Sequence, residues 1–141
     1  MVFLNKLESW PYSVFPGFGF DLAYSDVYCF MTSAWLNDNA VTAFGVVLSR
    51  YKNYSIVVLP PLAKKKKQEG MGILPAKTVM EIIGGIAAKP FVFLPVNFGC
   101  VHWACLVVDR QAKLVMVNDN LDKKSNKKKL KNVADEIGAQ W

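Results

Sequence analysis

The stretch "PFVFLPVNFGCVHWACLVVDRQAKLVMVND", residues 90–119, limits what this chain can fold into more than any other. It holds three apolar runs rich in β-branched and aromatic residues, which read as strands of one sheet. "PFVFLPV" and "VHWACLVVD" are hydrophobic nearly throughout instead of alternating, which predicts strands buried on both faces. "RQAK" predicts a turn, and "LVMVND" returns as a third strand. If the last two strands pair as an antiparallel hairpin about "RQAK", Val108 faces Leu114 and His102 falls near Asn120. Asp119 then stands beside His102 at one end of the sheet. Asp109 is at the far end, where water is its expected partner.

The rest of the chain supplies helices. Residues 1–24 form an aromatic lead in which Pro11, Pro16, Gly17 and Gly19 predict turns and irregular chain. "SDVYCFMTSAWLNDNAVTAFGVVLSRY" reads as a short helical turn followed by a helix that Asn37 or Asp38 can cap. Val41, Phe44, Val47 or Leu48, and Tyr51 recur at helical spacing and are expected to bury one face. "YSIVVLPPL" predicts a strand ending at Leu59. The lysine run and "QEGMGILPA" predict a loop, and "KTVMEIIGGIAA" a helix weakened by its glycine pair. From Lys123 a basic amphipathic helix is expected, with Leu130, Val133, Ala134, Ile137 and Trp141 on one stripe. That stripe calls for a partner surface, yet the sequence stops there. The expected class is α+β, a small mixed sheet flanked by helices.

Composition narrows the functions. Hydrophobic residues make up 52% of 141, enough for a packed core. No clean apolar run of about 20 residues is present, so no membrane span is expected. No secretory signal is visible either. Three cysteines and a single histidine give no disulfide framework and no metal-site spacing, which favours a reduced intracellular setting, nucleus or cytoplasm. The net charge of +6 is concentrated in "KKKK" at 64–67 and in "DKKSNKKKLK" at 122–131. A solvated loop and helix face explain these runs, with nuclear import or nucleic-acid binding as alternatives; the lysine runs weigh toward the nucleus.

His102, the single histidine, lies inside an apolar strand. A core histidine is the plain reading, but the neighbouring Trp103 and the nearby Asp119 add a second. A carboxylate there accepts the imidazole N–H, fixes its tautomer and stabilises the imidazolium. Cys100 stands two positions from His102, so on a regular strand both side chains share a face, with Cα atoms about 6.5 Å apart and side chains parallel. Cys105 faces the other side. Neither arrangement gives a thiol hydrogen-bonded to imidazole. Cys29 is expected to be buried and inert.

"WLNDNAVTAF" at 35–44, "FLPVNFGCVHWACLVVD" at 93–109 and "LVMVNDNL" at 114–121 resemble the ubiquitin-like-protein-specific cysteine proteases, the SUMO-protease (Ulp/SENP) family. That family has a Trp-Leu-Asn-Asp motif opening a helix. A strand ending in Pro-(Ile/Val)-Asn or -His follows, then His-Trp and an apolar strand closing on Asp. Its catalytic Asp typically lies seventeen positions after the His, as Asp119 does after His102. Asp26 stands where the family often places an Asp ahead of its Trp-Leu-Asn-Asp. The resemblance runs from about Ser25 to Asn120.

It implies a papain-like, adenovirus-protease-like cysteine peptidase domain over residues 25–141, C-terminally incomplete, with no cofactor and no metal. His102 matches the general base and acid, and Asp119 the carboxylate that orients it. Trp35 and Trp103 match the aromatic pair lining a tunnel for a Gly-Gly tail. Asp38 matches an acidic contact to the modifier's surface. The implied partners are a ubiquitin-like modifier, SUMO or related, and its conjugates; no membrane partner is expected, and nucleic acid belongs only to a competing reading. The family's nucleophile, a Cys in Asp-Cys-Gly with a Gln six residues before it, has no match here. No Cys follows Cys105, and Gln140 reads as a helix-end residue. The expectation is a truncated, inactive protease domain. A modifier-binding module without chemistry and a basic nucleic-acid-associated protein are the competing readings.

Overall fold

The structure is a computed structural model that describes residues 12–63, 74–99, 102–121 and 123–140. The chain divides into two units, residues 1–48 and 49–141.

In the first unit, β1 (Val14–Phe15) pairs antiparallel with β2 (Leu22–Ala23). Irregular chain was expected here, and a short hairpin forms instead. Gly17 (φ 86°) and Gly19 (φ 82°) take the left-handed conformations that reverse the chain. A 3-10 helix, Tyr24–Phe30, follows, and after an irregular segment α1 (Asp38–Tyr51) begins, its residues from Ser49 on being counted with the second unit. Asn37 is the cap, its Oδ1 accepting the Ala40 N–H at 2.7 Å. The buried side of α1 differs from expectation. Ala40, Ala43 and Gly45 are buried, whereas Phe44, Val47 and Tyr51 stay more than half exposed. Helical spacing fits several stripes, and the small-residue stripe is the one that permits close approach.

The second unit contains the sheet. Its strands are β3 (Ile56–Val58), β4 (Leu62–Ala63), β5 (Phe91–Phe98), β6 (His102–Asp109) and β7 (Leu114–Asn118). The order is β3-β5-β6-β7, and β4 also pairs with β5. β3 and β4 run parallel to β5, opposite Phe91–Phe93 and Val96–Asn97. Pro60 and Pro61, which have no N–H to donate, make the break between them. Pro95 of β5 falls at that gap, where a missing donor does least harm to the ladder.

Two helices cover one face: α2 (Ala76–Ala88) and α3 (Lys124–Gly138). Val92, Leu94 and Val96 of β5 and Ala104, Leu106 and Val108 of β6 form a single core with Ile82, Leu130, Val133 and Ile137. Burial on both sheet faces was expected, but on β6 the opposite positions, Cys105 and Val107, are only half-buried. The α3 stripe of Leu130, Val133 and Ile137 has its partner already, the sheet of its own unit; Trp141 lies outside the described residues. Within the glycine pair of α2 the roles split. A Cβ on Gly85 would lie 2.8 Å from Val92 Cγ2, so this glycine lets the helix approach β5, while Gly84 faces open space. The Leu74 N–H donates to the Glu136 carboxylate, tying the start of α2 to α3. Among the described residues no helix is long and apolar enough to cross a membrane.

Candidate active site

β6 and β7 pair antiparallel, with Asp109 opposite Leu114 and Cys105 opposite Asn118. The expected register, Val108 facing Leu114, is therefore shifted by one residue: Val108 pairs with Val115. The four residues of "RQAK" remain the connection, and Asp109 closes it as a paired residue. Asp109 is not merely solvated as expected. Its Oδ1 accepts the Gln111 and Ala112 N–H groups at 2.9 and 3.0 Å, a side-chain cap on the turn.

At the other end of the hairpin, His102 and Asp119 meet. His102 Nε2 lies 2.5 Å from Asp119 Oδ1. By strand alternation His102 belongs to the helix-covered face, with Ala104, Leu106 and Val108. Its imidazole lies nearly parallel to the Phe98 ring, 15° between planes and 6.2 Å between centroids, directly across the β5–β6 pair. Lys129 Nζ of α3 stands 5.9 Å from the same Phe98 ring. The aromatic neighbour and the carboxylate together hold the imidazole orientation.

Asp119 is the more buried partner, its side chain 3% exposed against 14% for His102. Burial alone would raise its carboxyl. The Leu121 N–H, the His102 hydrogen bond and charge, and the charge of Lys127 outweigh that, leaving it below the usual carboxylate range. Asp119 Oδ1 takes both hydrogen bonds, from His102 and from the Leu121 N–H at 3.0 Å. Oδ2 is buried with no partner among the described residues.

This arrangement fixes the imidazole's chemistry. An ionised carboxylate only accepts, so Nε2 carries the hydrogen and Nδ1 is the basic nitrogen. The pair can take a proton at Nδ1 and stabilise the resulting imidazolium, and it requires a nucleophile to deprotonate. None of the three thiols is placed there by the described residues. Cys29 is buried, and its Sγ donates to the Asp26 carbonyl at 3.2 Å. Cys105 alternates to the other face of β6, and burial pushes its thiol up, away from the thiolate. Cys100 lies outside the described residues.

Trp103 follows His102 on β6, half-buried and on the opposite face. Trp35 and Asp38 belong to the first unit, where Trp35 is 73% exposed and Asp38 is exposed at the start of α1. The segment carrying them is tied down by a residue not assigned a role from sequence. Asp26 Oδ1 accepts from Asn37 Nδ2 at 3.0 Å, and Oδ2 accepts from Asn39 Nδ2 at 3.1 Å and the Ala23 N–H at 2.9 Å. The two asparagines flanking Asp38 were the available signal, since Asn outside a helix interior usually has a specific hydrogen-bonding task.

The sequence model of the Ulp1 protease family, C-terminal catalytic domain, matches residues 60–138, more than half of the chain. No curated protein matches it. The chain belongs to the Ulp1 protease family, a family of cysteine peptidases.

Proposed function

We propose that this chain supplies the histidine–aspartate half of a cysteine peptidase that hydrolyses the bond after the C-terminal Gly-Gly of a ubiquitin-like modifier, and that by itself it binds the modifier without turning it over. The observation that carries this reading is the contact of His102 Nε2 with a buried, ionised Asp119. In the reaction, His102 Nδ1 takes the proton of a nucleophilic thiol, and the thiolate adds to the carbonyl of the last glycine. The imidazolium then protonates the leaving amine, and water, deprotonated by the same nitrogen, hydrolyses the thioester. Asp119 holds the ring and its charge through both steps.

Among the described residues no thiol stands beside His102. No Cys follows Cys105 in the sequence, and Cys29 and Cys105 are buried or turned away. Modifier binding is favoured by the exposed apolar side chains ahead of α1, Phe30, Met31, Trp35 and Leu36.

The test uses the purified 141-residue chain with SUMO or ubiquitin carrying a fluorogenic group on the C-terminal glycine. The expected result is no release above that of His102→Ala, together with saturable binding of the modifier. Turnover abolished by Cys100→Ser but retained by Cys29→Ser would overturn the assignment of an external thiol.

A further inference from the structure

Asp26 sits nine residues ahead of Trp35, in the third position of the 3-10 helix. Both of its oxygens are committed, and two of the three donors are side-chain amides from the segment that opens α1. The network continues. Asn37 gives its Nδ2–H to Asp26 and uses Oδ1 to accept the Ala40 N–H, the helix-capping bond. A rotated Asn37 amide would set oxygen against carboxylate and NH2 against the Ala40 N–H, so Asp26 fixes which way this cap faces. Asn39, in the first turn of α1, is drawn to the same carboxylate. Asp38 is therefore held between an anchor at Asn37 and one at Asn39, Trp35 and Leu36 lie directly ahead of the first anchor, and all three are exposed side chains.

We propose that Asp26 is a positioning residue for modifier binding: its carboxylate holds the Trp35–Asp38 segment in its binding conformation without touching the modifier. This rests on the reading of Trp35 and Asp38 as modifier contacts. A charged acceptor is required, not a polar side chain of similar shape. In Asp26→Asn one oxygen becomes an NH2 group facing another donor. Either that bond is lost, or Asn37 rotates and α1 loses its cap. Only the ordered fraction of the segment then binds, and apparent affinity falls in proportion.

The experiment is titration of purified SUMO and, separately, ubiquitin into the 141-residue chain and four variants: Trp35→Ala, Asp26→Ala, Asp26→Asn and Asp26→Glu. Amide protection across β5 and β6 is followed to show that the second unit stays folded. The wild-type chain is expected to bind one modifier and Trp35→Ala to lose it. Asp26→Ala and Asp26→Asn are expected to weaken binding by about fivefold, the size of a lost helix cap. Asp26→Glu, which keeps both oxygens, is expected to lie closer to wild type than Asp26→Asn does. If Trp35→Ala loses binding while Asp26→Ala and Asp26→Asn bind as wild type, or if Asp26→Glu is no better than Asp26→Asn, the inference is wrong and the docking reading stands. If the wild-type chain binds neither modifier, or Trp35→Ala binds as well as wild type, the docking reading itself fails and takes this inference with it.

Discussion

Replacing Asp119 by Asn keeps the shape of the side chain and removes its charge. In the wild type, Oδ1 accepts from His102 at 2.5 Å and from the Leu121 N–H at 3.0 Å. Hydrogen bonds to an ionised partner contribute roughly 1.5–3 kcal/mol and neutral ones roughly 0.5–1.5, so two bonds together lose about 2–3 kcal/mol. Against this stands the relief of a carboxylate that is only 3% exposed, with one oxygen unpartnered. That desolvation is worth about 1–3 kcal/mol. With the carboxyl held below its usual range by its hydrogen bonds and neighbouring charges, attraction outweighs burial, and the net expectation is a loss of up to about 1 kcal/mol at pH 7. The sign of the pH dependence follows. Because the folded carboxyl releases its proton more readily than the unfolded one, the stabilisation is complete above the unfolded value of about 3.9 and disappears as pH falls through the lower folded value. Urea unfolding of wild type and Asp119→Asn at pH 7, and in steps to pH 2.5, measures this directly. The gap between the two should hold down to about pH 4 and close below it. An Asn variant as stable as wild type at pH 7 would show that burial wins and refute the reasoning. So would a gap that persists unchanged at pH 2.5.

Adjacent glycines in α2 should respond with opposite sign. Gly84→Ala adds helix propensity in open space and should stabilise by about 1 kcal/mol, whereas Gly85→Ala drives a Cβ to 2.8 Å from Val92 and should destabilise by about 1–2 kcal/mol net; thermal unfolding of the pair separates them. Lys113 is exposed and left-handed (φ 52°) before β7, so Lys113→Gly should raise stability by about 1 kcal/mol, read as a higher urea midpoint at unchanged slope. Asp109→Ala should cost about 1 kcal/mol by freeing the Gln111 and Ala112 N–H groups, with faster amide exchange confined to that turn.

Much of the site was legible in residue order. The run from Phe91 to Asn118 contains three strands because its apolar residues are β-branched or aromatic and its connections are short. One short turn between β6 and β7 then obliges His102 and Asp119 to share an end. The register was off by one because hairpin pairing depends on how the turn closes. The Asp109 side chain and the left-handed Lys113 decide that, and neither is visible in hydrophobic pattern. Even so, His102 and Asp119 still meet, because Asp119 lies beyond the last paired residue of β7, where the chain is free to turn toward the imidazole.

Faces were less legible than elements. For α1 the large apolar residues marked one stripe and the alanines another, and the alanines were buried. The α3 stripe looked unpartnered along the sequence, yet Leu130, Val133 and Ile137 close the core beneath β5 and β6. Nor does anything in "DVYCF" announce that Asp26 will gather Asn37 and Asn39. Local sequence determines which segments become strand or helix, because propensity and periodicity act within a few residues. Which of several apolar stripes is buried, which donors a carboxylate collects and which nitrogen of His102 stays basic were decided by tertiary structure. Those outcomes depend on partners brought together across the chain, and burial makes each pairing costly to leave unmade.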